Sequence, residues 1–199
     1  MARPNTRTAI LDATEELART VGLVRVTTKA VASAAGCSEA SIYYHFQDRA
    51  DLLAEVVAGR MKEVYIQLAT MPLPEGDPAT RLSALIEAVA EAYTGLIGLS
   101  SPLLADPEVL GRLRAVMEQH SVSLHGMQAI LAERIGQEQE AGRVRSDVDP
   151  VMVALVIAGS CHEIALEGHL MGQAHQHLKS AGSTVHSLAT TLSTLLEES

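Results

Sequence analysis

The chain has 199 residues, room for one domain or two small ones, and its 47% hydrophobic content supports a real core. Aromatics are only 3% with no Trp, so the core must be aliphatic, and with few alternating β-branched runs the composition favours an all-helical fold. The net charge of −9 is acidic; the longest apolar run, 151–159, falls short of the ~20 residues that span a bilayer, and two cysteines far apart in sequence, Cys37 and Cys161, argue for reduced thiols and a cytoplasmic location rather than a disulfide framework.

The N-terminus, MARPNTRTAILDA, is polar and then amphipathic, with no visible secretory signal. A helix is predicted over 7–21, with Ile10, Ala13, Leu17, Ala18 and Val21 on one stripe and Gly22 ending it. Residues 22–46, GLVRVTTKAVASAAGCSEASIYYHF, then read as two short helices joined by a tight turn. Thr27 is an N-cap whose hydroxyl can accept a free backbone N–H. Val31 and Ala35 share a face with Ala32 and Gly36 beside them, and Ala32 is small enough to admit a second helix. Gly36 can take the left-handed conformation that ends the first helix. Cys37 has the size of a small core residue at the turn. Ser38 caps the second helix. Ile42 and Phe46 face inward; Ser41, Tyr44 and His45 face outward, with Ala40 and Tyr43 near the edges. Hydroxyls and phenols on a helix surface suit phosphate oxygens and base edges, which is the layout of a helix-turn-helix DNA reader. A plain αα-hairpin would share the alanines and the glycine, but would leave Tyr43, Tyr44 and His45 as a costly exposed cluster.

This first quarter of the chain resembles the N-terminal domain of the TetR (tetracycline-repressor) family of bacterial transcription regulators. The shared residues are Ile10, Leu11, Ala13, Leu17, Gly22, Thr27, Val31, Ala32, Ala35, Gly36, Ser38, Ile42, Tyr43, Tyr44, His45, Phe46, Leu52 and Leu53. The resemblance implies a sequence-specific DNA-binding regulator, a repressor released from a palindromic operator by a small effector, with no cofactor. Thr27, Lys29, Tyr44, His45 and Arg49 then hold phosphates, and Ser38, Glu39, Ala40, Ser41 and Tyr43 lie nearest base edges. Two positions depart from the pattern. Arg49 stands where many members carry Lys, keeping a charge able to hold a phosphate. Glu39 stands where many carry Lys or Arg; it can accept from a cytosine amino group, but the reading preferred from sequence is a solvated charge that weakens non-specific binding.

Beyond the reader, a helix over 48–70 is expected to connect it to a body, and MPLPEGDP at 71–78 marks the clearest boundary. Further helices are expected over 79–98, 107–119, 121–141, 150–170 and 180–197. Residues 100–108 break the first of these, and Asp149 caps the helix that Pro150 opens. This gives a DNA-binding domain over 1–47 and an effector-binding and dimerisation domain over 48–199, about nine helices in all. Residues 1–60 hold seven Lys/Arg and seven Asp/Glu, while 61–199 hold eight and 17, so the excess acid lies behind the reader and orients it toward DNA. Arg3 and Arg7 are placed to add phosphate contacts from an N-terminal arm. The helix from 150 is apolar nearly all round between Val151 and Ala158, so it needs cover on both sides. The resemblance implies that a second copy covers it, through 150–170 and 180–197, presenting two readers about one DNA turn apart.

Tyr93, Met117, His120, Met127 and His162 are apolar or amphipathic residues of the body; the resemblance implies an effector pocket among these helices, mostly apolar with a few polar groups. Low aromatic content argues against a stacking site for flat drugs. His169, His175 and His177 have a spacing able to hold a transition metal, though a solvated His-rich loop is preferred and no metal is expected. Cys161-His162 has no third orienting residue, so no catalytic group is assigned. A helical ligand-binding or enzymatic protein with a vestigial helix-turn-helix remains the alternative, as does a regulator governed by a protein partner.

Overall fold

The computed structural model describes residues 5–100, 106–123, 125–171 and 177–196 of the chain, with side chains from 184 onward in the last stretch. Among the described residues all regular structure is helical: α1 (Thr6–Val21), α2 (Thr28–Ala35), α3 (Glu39–His45), α4 (Arg49–Thr70), α5 (Pro78–Ser100), α6 (Pro107–Gln119), α7 (Gly126–Glu140), α8 (Pro150–Leu170) and α9 (His177–Leu196), with a 3-10 turn at Leu23–Arg25. The fold is all-α. Packing divides the chain into two compact units, Met1–Lys62 with Gly98–Ser123, and Glu63–Ile97 with Leu124–Ser199.

In the first unit the chain's single Phe sits at the centre. Phe46, Ile10, Leu23, Val26, Val31, Ile42, Leu52 and Leu53 are all essentially without solvent contact, so α1, α2, α3 and the first turns of α4 share one apolar core. The inner face of α1 differs from the expected stripe: Ile10, Thr14 and Ala18 are buried, and Val21 is 44% exposed. Two local causes account for this. Thr14 is satisfied inside the core because its hydroxyl donates to the Ile10 carbonyl at 2.7 Å. Gly22, at φ +83°, turns the chain just after Val21, and the following 3-10 turn delivers Leu23 and Val26 to the core instead.

The helix expected from residue 121 begins at Gly126. Ser121 adopts a positive φ of 55°. Its N–H bonds the Glu118 carbonyl at 3.2 Å and the Val122 N–H bonds the Met117 carbonyl at 2.9 Å, which closes α6 with a Schellman-type cap. Usually a glycine signals such an end; here a serine makes it.

The second unit is built on small residues. The inner face of α8 is Ala154, Ile157, Ala158, Cys161, Ala165 and Gly168, and α7, carrying Met127, Leu131 and Ile135 inward, packs along it. Small side chains let the two backbones approach closely. α5 adds Leu82, Leu85, Ile86 and Val89, and α9 adds Val185, Ala189 and Leu196. At the start of α7 only glycine fits: a Cβ on Gly126 would lie 2.3 Å from the Tyr65 ring. Both α5 and α8 are long and apolar enough to cross a membrane by length and composition, yet each turns one face into this core.

Candidate nucleic-acid interface

The reader is assembled by caps that the local sequence dictates. Thr27 Oγ1 accepts from the Ala30 N–H at 3.2 Å, starting α2. Gly36, at φ +66° and ψ +34°, ends it, and its left-handed geometry lets the Cys37 N–H reach the Ala32 carbonyl at 3.0 Å. Ser38 Oγ then accepts from the Ser41 N–H at 3.1 Å, starting α3. Buried Ile42 and Phe46 fix the roll of α3. That roll leaves Tyr43 54% and Tyr44 85% exposed. The Tyr44 and His45 rings meet edge to face, with centroids 5.1 Å apart. A large aromatic that solvent reaches on nearly all sides gains little from the protein's own core and is accessible to a partner.

The other expected contact residues fall as follows. Lys29 and Ala40 are exposed and Ser41 is half-buried. The Ser38 and Ser41 hydroxyls lie 2.8 Å apart and bond each other. Glu39 is exposed but not merely solvated: its Oε2 accepts from the Thr28 hydroxyl at 3.0 Å, tying the first turn of α3 to the first turn of α2. Arg49 points inward. Its Nε donates to the Val26 carbonyl at 2.7 Å, and one Nη donates to the carbonyls of Val24 at 2.6 Å and Leu23 at 3.5 Å. Of the two arginines of the expected arm, Arg3 lies outside the described residues. Arg7 belongs to α1, pairs with Glu55 at 2.7 Å and sits 5.2 Å from the Phe46 ring centroid.

Two polar ties that sequence reasoning missed join α6 to the rest of the first unit. Arg112 donates to Gln47 Oε1 at 2.9 Å and to Asp48 Oδ2 at 2.6 Å. At the end of α6, His120 Nε2 lies 3.0 Å from Glu55 Oε2, the same oxygen that pairs with Arg7. Burial works to raise the Asp48 carboxyl, but the Asp51 N–H and the Arg112 guanidinium outweigh it and hold it below its usual range. These partners stand 64 or 65 residues apart, so no local pattern could reveal them.

Of the residues expected at an effector pocket, the structure brings Tyr93 and His162 together, with ring centroids 5.5 Å apart and nearly perpendicular. Burial, with Tyr65 and Cys161 nearby, pushes the Tyr93 phenol up to about 12. Tyr65 is likewise raised by burial, against the Met127 backbone N–H that bonds it. Cys161 is fully buried and pushed up to about 12 by that burial, which keeps it a protonated, unreactive thiol. Met127 is buried in α7. Met117 and His120 belong to the first unit, where Met117 is buried and His120 faces Glu55. An open cleft of about 520 Å³ in the second unit lies instead between α5 and α9, lined by Thr80, Ser83, Glu87, His186, Thr190 and Thr194. His175 lies outside the described residues and the His177 side chain is not described, so the three-histidine cluster is represented by His169 alone.

Residues 10–56 match the family model described as bacterial regulatory proteins, tetR family. The whole chain is similar in fold to a TetR transcription regulator from Haloarcula marismortui (TM-score 0.66, 18% identity, covering 97% of this chain and 98% of that one). It is also similar to the fatty acid degradation regulator FadR from Bacillus halodurans (TM-score 0.66, 18% identity, 95% and 96%). A third likeness is SmeT, the repressor of the Stenotrophomonas maltophilia multidrug efflux pump SmeDEF (TM-score 0.59, 18% identity, 95% and 90%). No curated protein matches the chain.

Proposed function

We propose that the chain is a TetR-family transcription regulator, a reading supported by the tetR family match over residues 10–56 and by the likeness in fold, and that it is a cytoplasmic homodimeric repressor that leaves a palindromic operator when a small effector binds. The observation that carries the reading is the exposure of Tyr43 and Tyr44 on a helix whose roll is fixed by buried Ile42 and Phe46. Residues 1–47 act as the DNA-binding domain and 48–199 as the effector and dimerisation domain. Thr27, Lys29, Tyr44 and His45 take phosphates, which position the reader. Arg49 adds its charge there while holding the turn behind α2 through the Val24 and Val26 carbonyls. Ser38, Glu39, Ala40, Ser41 and Tyr43 face base edges.

The effector site is centred on Tyr93, His162 and Met127 of the second unit. An effector moves α4, which changes the separation of the two readers in the dimer. The effector must bind the DNA-incompetent form better, and the coupling must be reciprocal. Arg112 and His120 give α6 a second hold on the reader, through Asp48 and Glu55. No catalytic step, cofactor or metal enters this scheme.

Selection of bound DNA from a random pool tests the reading. An enriched inverted repeat with half-sites about ten base pairs apart is the expected result. Salt-sensitive background with no motif would overturn it, and would favour a ligand-binding protein whose helix-turn-helix is only structural.

A further inference from the structure

An acidic side chain is the last group expected on a surface that meets phosphates, because it repels the DNA backbone wherever it is free to swing. Glu39 is on that surface, in the first turn of α3, and it is not free to swing. The Thr28 hydroxyl donates to its Oε2 at 3.0 Å. Thr28 opens α2, and the neighbouring Thr27 hydroxyl is taken up as the α2 cap. Across the turn, the Ser38 and Ser41 hydroxyls bond each other. Of these four hydroxyls, the Thr28 group is the one that fixes the carboxylate, leaving Oε1 as an acceptor held in a defined place.

Such an acceptor discriminates among bases by what each shows in the major groove. Guanine presents two acceptors and thymine an acceptor and a methyl group, so both disfavour a carboxylate. Adenine offers an amino group, but its N7 acceptor sits beside it. Cytosine offers an amino group with no acceptor of its own alongside. We propose that Glu39, positioned by Thr28, selects a cytosine at one position of each operator half-site. The proposal rests on the DNA-binding reading above and deepens it: Glu39 sets specificity, and Thr28 is a positioning residue that touches no base.

Parallel selections from a random pool with the full-length wild type and the variants E39Q, E39A and T28V test this. The wild type is expected to fix cytosine at one position of each half-site. In E39Q that position changes to adenine, because a carboxamide pairs with both the adenine amino group and N7. In E39A the position flattens, with discrimination falling on the order of tenfold while the other positions stand. In T28V cytosine is kept but is less strongly preferred. If E39Q and E39A return the wild-type motif at every position, the proposal is overturned and the operator-binding reading survives. If the wild type itself enriches no motif, both fall. Full wild-type discrimination in T28V would overturn the positioning role of Thr28.

Discussion

Arg49 illustrates how one side chain can serve two ends. A guanidinium carries five donors in a rigid fork. At Arg49 the fork is turned onto the carbonyls of Val26 and Val24, at 2.7 and 2.6 Å, which the 3-10 turn leaves without helical partners. Hydrogen bonds from a charged donor contribute about 1.5–3 kcal/mol, so Arg49→Met should lower the free energy of unfolding by an amount in that range, read as a lower urea midpoint with an unchanged denaturant slope. Arg49→Lys separates the two roles. A lysine restores the charge at the proposed DNA-binding face but is a single flexible point donor that cannot span two carbonyls. The expected outcome is that Lys recovers much of the affinity for DNA and little of the stability. Full recovery of stability by Lys would show that charge, not the fork, holds the turn.

At the scale of elements, what could be read from the sequence was what neighbours within a turn decide. Thr27, Ser38 and Asp149 each cap a helix where the side chain has only to reach two or three residues ahead, and α8 begins at Pro150 as local chemistry requires. The Gly36 turn was legible for the same reason. The end of α6 was not, because Ser121 takes a left-handed conformation that no serine advertises. Nor were the partners of Glu39 and Arg49, which lie 11 and 23 residues away and meet only after the helices cross. Another long-range tie yields a measurable consequence. Glu138 of α7 is nearly buried, and bonds Arg81 of α5 at 2.8 Å through both oxygens and Arg143 of the following turn at 2.6 Å. The Arg81 fork, working against burial and helped by Arg143, lowers its carboxyl from 4.5 to about 2. A carboxyl lowered by folding stabilises the fold above its unfolded value and loses that contribution as pH falls through its folded one. The stabilisation, roughly 3 kcal/mol from the size of the shift, is therefore present above about pH 4.5 and fades toward pH 2. Glu138→Gln should be less stable than the wild type at pH 7, and the gap should close as pH drops below 4.5. A gap that persists unchanged at pH 3 would mean the ion pair is not its source.

At the scale of the whole molecule the question is what covers α8. Its inner face is spent on the core, yet Val151, Met152, Leu155 and Val156 remain 47–53% exposed on the other side. Fully burying such a side chain contributes about 1.5–3 kcal/mol, so covering the exposed half of these four contributes roughly 4 kcal/mol per protomer, or about 8 for a two-fold pair. Association itself costs an estimated 4–15 kcal/mol. The α8 patch alone is therefore too small to hold the proposed dimer at micromolar concentration, and the proposal requires α9, where Leu195 is 61% exposed, to join it. A two-fold interface also doubles every substitution, since each residue appears on both sides of the axis. In the proposed dimer Leu155→Asp places two carboxylates in one apolar seam, and is expected to convert the protein to a folded monomer by sedimentation velocity, with its helical circular dichroism retained. Because the two readers then bind independently, affinity for the full inverted repeat should collapse toward that for a single half-site, while half-site affinity stays as in the wild type. A Leu155→Asp protein that remains dimeric and binds the full repeat normally would place the interface on another face of the chain.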